Sequence, residues 1–190
     1  YDTVAPYIVE AFGKIKVNRV AWVTTTGSIV DANIAGDYSP LKTGDIKVWL
    51  RNPEEVEALE GIWRLFTKAR RFYSNKVKVG NEWIPPSLLS AGERKAVMLT
   101  YLARHRDLLV IEAFEGGLHI DMALDLIDVF SDEARYVVLE THYGLIVGKA
   151  LERGWNVYYF DEGKASKIGS LREAALLERE VRAYGAIPLP

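Results

Sequence analysis

The sequence predicts an α/β protein with a mostly parallel sheet flanked by helices in its C-terminal part. An antiparallel β lobe with a helix is expected before it. Three observations carry this. From Pro85 onward, short apolar runs alternate with stretches of helical period, the pattern of parallel βαβ units buried on both faces. Before Pro85, β-branched runs are separated by turn residues. The chain's 190 residues, 49% hydrophobic and 26% charged, are enough to bury a core and do not have the composition of a disordered tail.

Asp2 to Phe12 carries a helical stripe of Val4, Tyr7, Ile8, Ala11 and Phe12, weakened by Pro6. Ile15 to Thr25 and Ser28 to Ile34 read as strands flanking Thr26-Gly27, and Asp45 to Leu50 as a further short strand. A helix is expected after Asn52-Pro53, with Asn52 as N-cap and Pro53 at its first position. Val56, Leu59, Ile62, Trp63, Phe66 and Ala69 form its buried stripe. Glu54, Glu55 and Glu57 at its start and Lys68, Arg70 and Arg71 at its end match the helix dipole. Lys76 to Trp83 predicts a hairpin turning at Gly80-Asn81.

The alternating part follows. Helices are expected over about Ala91–Arg104, Asp121–Phe130 and Tyr143–Arg153, and strands over Leu108–Ile111, Tyr136–Leu139 and Val157–Phe160. A final helix is expected over Leu171–Tyr184. Functional sites of such sheets lie at the carboxyl ends of strands. We therefore divide the chain into residues 1–84, a helix with an antiparallel β/α lobe, and 85–190, an α/β lobe, within one domain.

Composition narrows the function classes. A balance of 24 basic and 26 acidic residues removes any argument from bulk charge to nucleic acid or anionic membrane. Lys14, Lys16, Arg19, Lys76 and Lys78 remain as a possible local basic rim. The absence of cysteine excludes disulfides, thiol nucleophiles and thiolate metal sites. No apolar run reaches the roughly 18 residues of a membrane span. A soluble cytoplasmic protein is expected. The complete lack of Gln, with few Asn and Met, leans toward a thermophile's composition.

Three segments carry chemistry. In Leu88-Leu-Ser-Ala-Gly-Glu-Arg-Lys95, Ser90 and Gly92 at the mouth of a helix offer a hydroxyl and free N–H groups where the dipole is positive, a site suited to phosphate. Taken alone, Ser90 with Glu93 three residues on is more simply a capping box. In Leu108-Leu-Val-Ile-Glu-Ala-Phe-Glu-Gly-Gly-Leu-His119, an apolar strand ends in Glu112, placed to hold Mg²⁺, or equally a solvated acid at a strand end. In Tyr136-Val-Val-Leu-Glu-Thr-His142, a second strand ends near His142, able to contact a phosphate or polarise water, or to be merely structural.

In this order and spacing the segments resemble the ABC-type ATPases, within them the SMC, RecF-like and OLD-like group of P-loop NTPase-like folds. LSAGER is similar to the LSGGQ signature, often LSxGE[RK] in this group. LLVIEAFEGGLH is similar to the Walker B strand and D-loop, and VVLETH to the switch strand. The resemblance covers about Ser87 to Lys164. It implies an ATP-hydrolysing head that dimerises with a second head around ATP and Mg²⁺, in a group that commonly serves DNA repair and genome maintenance. Ser90, Ala91, Gly92 and Glu93 would then face ATP bound to the partner head, Glu112 would serve the metal, His119 would lie in the D-loop at the interface and His142 would sense the γ-phosphate.

Three departures stand beside it. No GxxxxGK[ST] occurs in the chain, so no Walker A loop cradles phosphates here. Ala113 occupies the position of the catalytic glutamate, and a methyl group neither orients nor deprotonates water; Glu115 is a distant substitute. The family's Q-loop glutamine cannot be present in a chain without Gln. The start at Tyr1, not Met, suggests a head that is N-terminally incomplete, its P-loop on an upstream segment or a separate chain. The alternative is a non-hydrolysing interaction or regulatory module on the same fold, with nucleic acid among its conceivable partners.

Overall fold

In the computed structural model, residues 17–25, 29–33, 38–41, 53–73, 76–174, 177, 179 and 181–183 are described. The helix expected over Asp2–Phe12 and the strand expected over Asp45–Leu50 lie outside them. In chain order the elements are β1 (Arg19–Val23), β2 (Ile29–Asn33), β3 (Tyr38–Leu41), α1 (Pro53–Trp63), β4 (Ala69–Tyr73), β5 (Lys76–Val79) and β6 (Glu82–Ile84). After a 3-10 turn at Pro86–Leu88 come α2 (Ala91–His105), β7 (Leu108–Ile111), α3 (Ile120–Glu133), β8 (Val137–Leu139), α4 (Gly144–Glu152), β9 (Val157–Asp161) and β10 (Lys164–Ile168).

The protein is mixed α/β. A five-stranded sheet runs in the order β3-β2-β1-β7-β8. β1, β7 and β8 are parallel, with Ala21 opposite Leu109 and Ile111 opposite Leu139, while β1-β2-β3 is an antiparallel meander. The first expected strand therefore serves both an antiparallel ladder and the central parallel one. Asp107 secures that junction: its Oδ2 accepts from the Asn18 and Arg19 amides at 2.9 and 3.0 Å, and its Oδ1 from Arg135 at 2.9 Å.

One hydrophobic core joins both parts of the chain. It takes Ala21 and Val23 from β1, Leu59 and Trp63 from α1, Phe72 and Val77 from the β4-β5-β6 sheet, Leu99 and Leu102 from α2, and Leu126 and Phe130 from α3. α2 packs against both α1 and α3. Within this core the Trp63 indole donates to the Thr100 hydroxyl at 2.7 Å, so neither polar atom is left unmatched.

Several expectations need correction. Lys68, Arg70 and Arg71 do not end a helix: α1 stops at Trp63 with no basic residue in its last turn, and Arg70 and Arg71 lie in β4. The buried Glu60 instead ties the end of α1 to β4, its Oε1 accepting the Phe72 amide at 3.1 Å. Among the described residues β9 does not extend the parallel sheet and pairs only with β10, in an antiparallel hairpin separate from β8. β3 and β10 carry weak sequence signals and were not expected. Of the final helix, Leu171–Glu173 forms a 3-10 turn, and Leu177, Arg179 and Val181–Ala183 are helical. Among the described residues, no helix is long and apolar enough to cross a membrane.

Candidate functional site

The parallel pairing of β7 with β8 gathers the sequence-predicted residues at one end of the sheet. Glu112 follows β7 directly, and Glu140, Thr141 and His142 follow β8. The ladder continues past both strands: the Glu112 amide donates to Val23 O, the Glu140 amide to Ile111 O and the Phe114 amide to Glu140 O, each at 2.9 Å. Phe114 anchors the loop, fully buried and 5.8 Å from Phe130 between ring centroids.

Glu112 is held from the neighbouring strand. Its Oε1 accepts from the Trp22 indole N–H at 3.0 Å and its Oε2 from the Thr25 amide at 3.1 Å. Each oxygen makes one such bond and retains a lone pair. That suits a carboxylate offering one ligand to Mg²⁺, whose remaining ligands are typically water and phosphate oxygens. Among the described residues no group of three or more His, Asp or Glu side chains could hold a metal unaided.

Ala113 adopts φ +42°, a left-handed conformation that L-residues rarely take. The loop then turns through a Gly116 amide bond to Ala113 O at 2.9 Å and reaches Gly117 at φ +77°. It is clasped from α2. Lys95 Nζ donates to the carbonyls of Phe114 and Gly116 at 2.9 and 2.7 Å. Burial lowers the Lys95 pKa from its ordinary value, opposed by the nearby Glu115 carboxylate. The α2 backbone also approaches the loop at Gly92, where an added Cβ would lie 2.8 Å from Gly117 O.

At the mouth of α2, Ser90 and Glu93 form the reciprocal capping box: Ser90 Oγ accepts the Glu93 amide at 3.2 Å and Glu93 Oε2 accepts the Ser90 amide at 2.8 Å. Ala91 is exposed and Gly92 half-buried beside them. Arg94 closes this end by donating to Ser87 O and Leu89 O. His119 caps α3, its Nδ1 accepting the Asp121 amide at 3.4 Å, with its side chain exposed. His142 is likewise exposed; its Nε2 lies 3.7 Å from Glu140 Oε1 and its amide donates to Glu115 Oε1 at 3.1 Å.

The structure thus brings Glu112, Ala113 and the backbone of His142 together and sets the Ser90–Glu93 turn against the same loop through Gly92. His119 lies at the far end of that loop as a cap. Glu115 points inward, one oxygen on the His142 amide and the other buried without a hydrogen-bond partner, so it is not presented to an attacking water. Sequence reasoning missed Trp22, Thr25 and Lys95. Trp22 had a signal: alternation with the buried Ala21 and Val23 turns it to the other face of β1, which borders β7. Compared with known proteins, the chain matches no protein-family model and no curated protein sequence.

Proposed function

We propose that this chain is the signature-bearing part of an ABC-type ATPase head of the SMC/RecF/OLD-like group, one of two heads that close around Mg-ATP. The observation that carries the reading is the parallel register of β7 and β8, with Glu112 and His142 at the same carboxyl edge and the mouth of α2 packed on the loop between them. Glu112 would offer a metal ligand, and His142 a hydrogen bond toward a terminal phosphate. The Ser90–Glu93 turn and His119 would face the nucleotide of the partner head. Bound Mg-ATP supplies the phosphate charge that draws two such surfaces together.

The phosphate cradle is not in these 190 residues. A further segment or chain would supply it, adding a strand beside β8. β8 ends the sheet among the described strands, and its Val137, Val138 and Leu139 are half-buried where a central parallel strand would be covered. This would complete a P-loop NTPase-like sheet.

A second reading, a non-hydrolysing module that closes on nucleotide without turning it over, is favoured by one observation. Ala113 brings no acid and Glu115 is turned inward, so neither offers a side chain to activate water. Isothermal titration of Mg-ATP tests the proposal. The chain alone should bind weakly, and the chain supplied with a strand–P-loop–helix segment should bind stoichiometrically and dimerise. Tight binding by the chain alone, or none with the segment, refutes it.

A further inference from the structure

Among the described residues, the three-stranded β4-β5-β6 sheet is covered on one face only. Its register sets Phe72, Val77 and Ile84 in one row against the core and Arg71, Lys78 and Trp83 in the next row, on the opposite face. Tyr73 pairs with Lys76 and falls on that same outer face. Tyr73 and Trp83 are 55% and 42% exposed, with ring centroids 5.2 Å apart in an edge-to-face arrangement. Lys76 Nζ sits 4.9 Å from the Trp83 centroid and 5.9 Å from that of Tyr73, and Lys78 Nζ 6.0 Å from Trp83.

By strand alternation the described strand residues of this face are three cations and two aromatic rings, with no acid among them. Glu82 pairs with Val79 and belongs to the other face. Among the described residues, Arg71 alone of these leans toward an acid, its Nη1 3.9 Å from Glu60 Oε2.

We propose that this outer face is a binding platform for single-stranded nucleic acid. The charge calls for a polyanion, and the rings select among polyanions. A duplex hides the faces of its bases and an acidic peptide has none, whereas unpaired bases stack on Tyr and Trp while lysines meet the phosphates. Lys76 and Lys78 lie over the rings in the free protein, so a base displaces an ammonium that then turns to the backbone. An anionic membrane is disfavoured, because inserting Trp83 would drag the charges over its ring into the apolar layer. The platform stands independently of the ATPase reading.

Fluorescence anisotropy with labelled oligo-dT, against a duplex of equal length and against phosphatidylserine vesicles, tests this. Oligo-dT should bind about tenfold more tightly than the duplex, and vesicles should not compete. Trp83→Ala should weaken oligo-dT binding at least about fivefold, while Trp83→Phe, which keeps a stacking ring, should retain most of it. Removing both lysines should flatten the log–log salt slope by about 1.4, at about 0.7 per phosphate contact. Equal or tighter duplex binding overturns the proposal. So do competition by vesicles, an unchanged Trp83→Ala affinity, and equal losses in Trp83→Ala and Trp83→Phe.

Discussion

Replacing Lys95 by Met removes the clasp between α2 and the loop after β7 while keeping most of the side chain's bulk. Two carbonyls, of Phe114 and Gly116, lose a charged donor. Hydrogen bonds to charged groups contribute about 1.5–3 kcal/mol each, but the Gly116 contact is exposed and water replaces it there. The Phe114 contact is partly buried, and its loss is offset by no longer desolvating the ammonium. A net destabilisation of about 1–2 kcal/mol at pH 7 follows, equal to a fall in Tm of about 2–8 °C for a chain of this size.

The pH dependence carries a second signature. The folded protein holds the Lys95 pKa below 10.5, so between the folded and unfolded values the unfolded chain binds more protons. Wild-type stability should therefore gain a contribution as pH rises through that window, and Lys95→Met should lack it. Urea unfolding followed by circular dichroism at pH 7 and pH 10 measures both effects, and the response of other lysines and tyrosines cancels in the difference. A loss under about 0.5 kcal/mol at pH 7, or a gap between the proteins that narrows as pH rises, would refute the reasoning.

Thr100→Val should cost about 1–3 kcal/mol by stranding the buried Trp63 N–H, and adding Trp63→Phe should cost less than the sum of the two single changes; a double-mutant cycle by urea denaturation reads the coupling. Asp107 is held below the usual carboxylate range by the Asn18 and Arg19 amides and by Arg135. Its stabilising contribution is present above its unfolded value near 3.8 and is lost as pH falls through the lower folded one. Asp107→Asn should therefore flatten the acid limb of the stability profile, measured as midpoint against pH.

The elements that frame the site were legible because their signals are local and agree with one another. Leu108–Ile111 is a short apolar run bounded by a charge on each side, and Ser90 with Glu93 marks a helix start whose reciprocal bonds are present. β4 was misread for a physical reason. The register shift between Ala69 and Arg71 leaves Ala69 and Phe72 buried three residues apart, a spacing that mimics a helix and continues the stripe of α1. β9 shows a half-exposed alternation, unlike a strand buried on both faces, and Gly163 marked the turn into β10. Lys95 was illegible because its partners are main-chain carbonyls about twenty residues away, and no side-chain pattern reports them.

The junction of β1 with β7 has a kinetic side. Arg19 and Asp107, which meet there, are 88 residues apart in sequence. A chain emerging from the ribosome can close the β1-β2-β3 meander early, but its β1 edge stays unpaired until β7 has been made. Loop closure over such a span is slow, and an open apolar edge in the interval invites pairing with a neighbouring chain. Refolding yield should therefore fall with protein concentration more steeply than native stability alone would suggest. A fragment ending before Leu108 would carry the three meander strands but lack the strand that brings Glu112 to Trp22 and Thr25.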